Sequence, residues 1–100
     1  MADGLTGRQR RHLRALGHHL QPVVQVGHEG ITEALVHEAG RQLETHELIK
    51  VRIGESSPQD RYEAAELLAQ KTGAQVAQVL GRTALLYRPR KDKPGIVLPK

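Results

Sequence analysis

The chain has 100 residues, 38% of them hydrophobic, with no cysteine and only two aromatics, Tyr62 and Tyr87. That length supports one modest core of Leu, Val, Ile and Ala, and the composition excludes disulfides, cysteine-based metal sites and any apolar run long enough to span a membrane. The net charge of +4 is unevenly spread: residues 1–28 carry four arginines against Asp3 (+3), residues 29–66 four basic against nine acidic groups (−5), and residues 67–100 seven basic groups against Asp92 (+6). Basic ends around an acidic middle point toward a polyanion such as nucleic acid, provided the fold brings the ends together. The arginine-rich start lacks the apolar segment of a signal peptide, so a soluble, cytoplasmic protein is expected.

Thr6 reads as the N-cap of a helix running to about residue 20. Leu13, Leu16 and Leu20 share one face at helical spacing, while Arg8, Arg10, Arg11, Arg14 and His18 fall on the other. No acidic residue lies between Thr6 and Gln21, so these arginines have no partner on their own helix. A solvated face usually mixes both signs. Four arginines without a glutamate are better explained by an external anion, although contacts with the acidic middle would also serve.

Pro22 closes that region, and Val23, Val24 and Val26 form a short strand. Gly27-His28-Glu29-Gly30 follows, and a second helix is expected over about 32–45, with Ile31, Leu35, Val36, Ala39 and Leu43 as its apolar stripe. Two glycines three apart, between a strand and a helix N-terminus, leave the backbone open to a phosphate chain, and the first helical amides and the helix dipole favour an anion there. A tight strand-to-helix turn would also need glycine. His28 is placed to donate to a phosphate, the more so when protonated.

Residues 48–53 alternate as a strand, with Ile49, Val51 and Ile53 on one face and Lys50 and Arg52 on the other, which predicts a wet, basic sheet face there. A loop capped by Ser56 or Ser57 leads to a third helix over about 58–72, ended by Gly73, with Tyr62, Ala64, Ala65, Leu68 and Ala69 inward. Residues 75–80 and 83–88 read as an antiparallel hairpin turning at Gly81-Arg82. Residues 91–100 form a basic, proline-containing tail, expected to be mobile, in which residues 96–98 can dock on the body or stay loose. The order α-β-α-β-α-β-β predicts a compact α/β domain over 1–90 with a mixed four-stranded sheet, built from two right-handed crossovers and a final antiparallel strand.

No catalytic constellation emerges. The only serines, Ser56 and Ser57, have a ready role as helix caps, and the six histidines make no HxxxH pair. The glycine pair lacks the third glycine of a dinucleotide fingerprint and no Walker lysine follows it. No enzyme activity, metal, cofactor or small-molecule substrate is therefore expected.

The segments LTGRQRRHLRALGHHLQPVVQVGHEGIT, THELIKVRI and QVLGRTALLYRPR, in this order and spacing, together resemble the CRM domain, the chloroplast RNA splicing and ribosome maturation family, in its stand-alone bacterial YhbY-type form. The resemblance runs from about Leu5 to Arg90. It implies a fold similar to the C-terminal domain of translation initiation factor 3, RNA binding, and association with large-subunit ribosomal precursors during assembly. It places the family's GxxG loop on Gly27, His28, Glu29 and Gly30, its basic first helix on Arg8, Arg10, Arg11 and Arg14, and its last-strand motif on Gly81, Arg82, Thr83 and Arg88. The loop departs from the pattern in carrying His28 and Glu29 where the family often has Lys, Asn or small residues. A carboxylate beside a phosphate is repulsive, so Glu29 either turns away or weakens the contact.

The expected function is that of a monomeric, non-catalytic RNA-binding protein acting on large-subunit rRNA in pre-50S particles. Its surface would join Arg8, Arg10, Arg11 and Arg14 to Gly27, His28, Glu29 and Gly30 and to Lys50, Arg52, Arg82 and Arg88. With Tyr62 inward and Tyr87 the one candidate platform, recognition would rest on shape and phosphate charge rather than base stacking. The alternative is a protein-interaction module whose basic helix face docks on an acidic ribosomal or RNA-processing partner.

Overall fold

The first helix starts where its cap predicts and stops early. A computed structural model describes residues 4–100 of the chain. Thr6 caps α1 (Gly7–Gly17): Gln9 N donates to Thr6 Oγ1, and Thr6 N donates to Gln9 Oε1, a reciprocal box that satisfies two otherwise orphaned amides. The expected continuation to residue 20 is replaced by a turn. Gly17 lies so close to the sheet that a Cβ there would stand 2.8 Å from Leu85 Cδ1. Leu13 is fully buried beneath the helix, but Leu16 and Leu20 remain substantially exposed.

β1 (Pro22–Val26) leads through the glycine turn to α2 (Glu33–His46), capped by Thr32, and then to β2 (Leu48–Ile53). α3 (Arg61–Thr72) begins three residues later than the expected 58, because its cap is Asp60 and not a serine. Asp60 Oδ1 accepts from Glu63 N, while Glu63 Oε1 accepts from Asp60 N. Ser57 instead closes the preceding loop by accepting from Gln59 N. Gly73, at φ +73°, ends α3 in the left-handed conformation, as expected.

β3 (Gln75–Leu80) and β4 (Thr83–Tyr87) complete one sheet in the order β1-β2-β4-β3. β1 and β2 are parallel, with Val26 opposite Ile53, while β4 runs antiparallel to both neighbours, with Leu85 opposite Lys50 on one side and Gln78 on the other. The antiparallel strand is thus central rather than added at an edge, so the parallel neighbours are limited to one pair and the β3 crossover leaves a gap that β4 fills.

Both sheet faces are covered. α2 and α3 close one face over Val24, Val26, Ile49, Val51, Ile53, Ala84 and Leu86. On the other, Leu5 and Leu13 pack with Leu48, Ala77, Leu85 and Tyr87, and Ile96 and Leu98 of the tail complete that cluster. Full burial of each Leu, Ile or Val contributes about 1.5–3 kcal/mol. The tail expected to be mobile is therefore docked. Glu47, buried at the C-cap of α2, accepts amides from Arg90, Gly95 and Ile96, and Gln9 Nε2 donates to the carbonyl of Pro99.

Candidate nucleic-acid interface

The two loop glycines do different jobs. Gly30 N donates to the carbonyl of Gly27 at 3.0 Å, closing a tight turn. Gly30 has φ +73°, and a Cβ on it would stand 2.6 Å from Gln59 Oε1 and 2.9 Å from Pro58 Cγ. The fold itself therefore demands glycine at 30. Gly27 has no such constraint: it avoids the left-handed region, and a Cβ there would meet nothing within 4 Å. The space over Gly27 is open to solvent, and so is available to a ligand. His28 and Glu29 are exposed at the tip, and Glu29 makes no ion pair with the described residues. Leu35 N donates to Thr32 Oγ1, so the α2 cap is satisfied by the chain.

The basic residues divide in two. Arg8, Arg10, Arg11 and Arg14 are all exposed on α1, and none pairs with a carboxylate among the described residues. Lys50 and Arg52 are likewise unpaired and rise from β2 on the α1 side of the sheet, in one groove with His18 from just past the helix. Arg82 sits in the β3–β4 turn, its carbonyl accepting from Ile53 N at 2.7 Å. Its guanidinium approaches Glu55 at 4.0 Å, an exposed contact of little energetic weight.

Arg88 does not join this group. It donates to the carbonyls of Thr72 at 2.8 Å and Gly40 at 3.2 Å, and to Glu44 Oε1 at 3.1 Å. It follows the buried Tyr87 by one residue in an extended chain and so reaches the opposite side, where it clamps the ends of α3 and β4 to α2. The structure thus places it in the scaffold, on the side of α2, which carries Glu33, Glu38 and Glu44. The carboxylates of α2 lie across the sheet from α1, whereas Glu66 of α3 lines the same surface pocket as Arg10 at the β3 edge, without an ion pair between them.

The two tyrosines exchange the places expected of them. Tyr87 is 4% exposed and so is no platform; burial raises its hydroxyl pKa, and the neighbouring Glu47 carboxylate adds to the rise. Tyr62, expected inward, is 53% exposed in the first turn of α3, with the Arg61 guanidinium 4.9 Å from its ring centre. The capping pair Asp60 and Glu63 was the available signal, since it fixes where the first turn begins.

Glu47 is a further residue whose role the sequence pattern hides. Burial pushes its carboxyl pKa up, but the amides of Arg90, Gly95 and Ile96 outweigh that and hold it below the ordinary value. It adopts φ +66°, a strained region for a residue with a Cβ. Among the described residues, no group of three or more His, Asp or Glu side chains is placed to hold a metal ion, and no helix is long and apolar enough to cross a membrane.

Fold and surface together define a small α/β domain with one cationic helix-and-sheet face and a two-glycine turn at the end of an edge strand. Residues 5–88 match the CRS1 / YhbY (CRM) domain, and the chain belongs to that family. It is 38% identical over 95 residues to "Probable RNA-binding protein YqeI" of Bacillus subtilis, covering 95% of this chain and 99% of that one. A "Probable RNA-binding protein" of Methanocaldococcus jannaschii is 46% identical over 89 residues, covering 87% of this chain and 66% of its own. The solution structure of protein SAV1595 from Staphylococcus aureus superposes with a TM-score of 0.81 at 39% identity, over 95% of this chain and 99% of that one.

Proposed function

We propose that this protein binds RNA without catalysis, and that its target is large-subunit rRNA in pre-50S particles, whose assembly it assists. One observation carries the reading: the exposed arginines of α1 have no carboxylate partner among the described residues, although the chain holds 11 acidic residues. Cations left unpaired on a folded surface retain their full attraction for phosphate, and neutralising RNA phosphates releases condensed counterions. The proposed surface comprises Arg8, Arg10, Arg11, Arg14, Lys50, Arg52 and Arg82 with the Gly27–Gly30 turn. Arg88 is omitted because its donors are already engaged. The names of the relatives, as RNA-binding proteins, support the same reading.

The experiment is co-sedimentation of the tagged protein with ribosomal particles, with and without nuclease. Enrichment with precursors of the large subunit, abolished by nuclease and by Arg→Glu substitution at 8, 10, 11 and 14, is the expected result. Association that survives nuclease would favour an acidic protein partner for the same helix face. Absence from large-subunit precursors would reject the assembly role.

A further inference from the structure

The groove beside α1 holds more than positive charge. Leu20, Lys50, Arg52, Gln78, Leu80 and Thr83 line an open cleft of about 410 Å³ on the sheet, with His18 at its side. That volume falls in the range of small-ligand sites, about 300–1,000 Å³. Gln78 and Thr83 are half-buried, yet like Lys50 and Arg52 their side chains make no hydrogen bond or ion pair with the described residues. Their polar atoms stay open to solvent within the cleft and free of partners among the described residues, and a few such convergent groups among apolar walls suit a polar ligand.

The chemistry of the lining narrows that ligand. A bare phosphate needs only donors, which Lys50, Arg52 and His18 supply. An amide and a hydroxyl add both donors and acceptors, the combination needed to pair with the edge of a nucleobase. Leu20 and Leu80, the latter 69% exposed, offer apolar walls for a base face. Unpaired nucleotides of structured RNA are the ones whose bases can swing free into such a cleft. Resting on the RNA-binding reading above, the geometry points to this groove as a pocket for one unpaired nucleotide. The base lies between Leu20 and Leu80, its edge meets Gln78 and Thr83, and its phosphate meets Lys50 and Arg52.

The test measures affinity for two RNA hairpins that differ only in a single bulged nucleotide, tried as each of the four bases. The bulge is expected to raise wild-type affinity roughly tenfold, as two or three added hydrogen bonds and a buried base allow. Gln78→Ala with Thr83→Val should collapse the ratio of the two affinities toward one, and Gln78→Glu, which keeps the shape of the side chain, should do the same. Thermal melts verify that each variant is folded. A 4-thiouridine at the bulge should cross-link to residues 78–85. Equal wild-type affinity for both hairpins, an undiminished ratio in both folded variants, or cross-links confined to α1 would overturn the pocket while leaving the basic surface standing. Failure of both hairpins to bind at all would overturn the RNA-binding reading and the pocket together.

Discussion

Glu47 Oε1 accepts the amide of Gly95 at 2.8 Å, joining the end of α2 to a segment 48 residues further along the chain. The same carboxylate accepts from Ile96 at 3.0 Å and, through Oε2, from Arg90 at 2.8 Å. These bonds hold Ile96 and Leu98 over the cluster that also contains Leu13, so Glu47 indirectly sets the bed on which α1 rests. Removing the carboxylate leaves three amides short of a partner. Glu47→Ala should lower stability by about 1–3 kcal/mol, measured by denaturant unfolding.

Acid should have a related effect. The folded-state pKa of Glu47 is depressed, so its contribution is present above the unfolded value and is lost as pH falls. The melting temperature should begin to drop near the ordinary glutamate value of about 4.3 and keep dropping toward the lower folded value. In Glu47→Gln that part of the acid dependence should be missing. An identical pH profile for the two proteins would remove the carboxylate from this role.

The two loop glycines should separate stability from binding. Gly30→Ala meets both a left-handed backbone and the side chains of Pro58 and Gln59, and should cost about 1–3 kcal/mol. Gly27→Asp should leave the melt within a degree or two, because its Cβ faces open space, while weakening RNA binding by placing a carboxylate beside the phosphate. Full affinity in folded Gly27→Asp would take the turn out of the interface.

Gly17 and Leu85 should be coupled. Gly17→Ala drives a methyl toward Leu85 Cδ1 and should destabilise by about 1–3 kcal/mol. Leu85→Ala alone opens a cavity at a cost of about 2–5 kcal/mol. The double variant should be more stable than the two costs added together predict, with a coupling of about 0.5–3 kcal/mol, because each change relieves the other. Strict additivity would mean that the contact does not set the height of α1.

Arg88 and Arg82 should behave oppositely. Arg88→Ala leaves the carbonyls of Thr72 and Gly40 unsatisfied, and unfolding measurements should show a loss of about 1–3 kcal/mol. Arg82→Ala, in an exposed turn, should change stability little and reduce RNA affinity instead.

Much of the architecture is written locally. The alternation of Leu48 to Ile53, the cap at Thr6 and the glycine stop at Gly73 each depend on neighbours within a few residues, and all appear where expected. What the pattern hides is long-range. Nothing near Gly17 signals Leu85 across the sheet, and nothing near Glu47 signals the amides of the tail. The central position of β4 depends on which edges remain free once three strands run the same way. Arg88 illustrates the parity of a strand: one step from Tyr87 moves a side chain from one face to the other, so a basic residue in a basic motif is turned to the acidic side.

The most direct test of the cationic surface is the salt dependence of RNA affinity for the wild type and for a variant with Arg8, Arg10, Arg11 and Arg14 all changed to Ala. Each phosphate contact contributes about 0.7–0.9 to the slope of log affinity against log salt. The variant, with an unchanged melt, should bind more weakly at low salt and show a slope shallower by roughly three. An unchanged slope and affinity in the folded variant would contradict the claim that the unpaired arginines of α1 grip the RNA backbone.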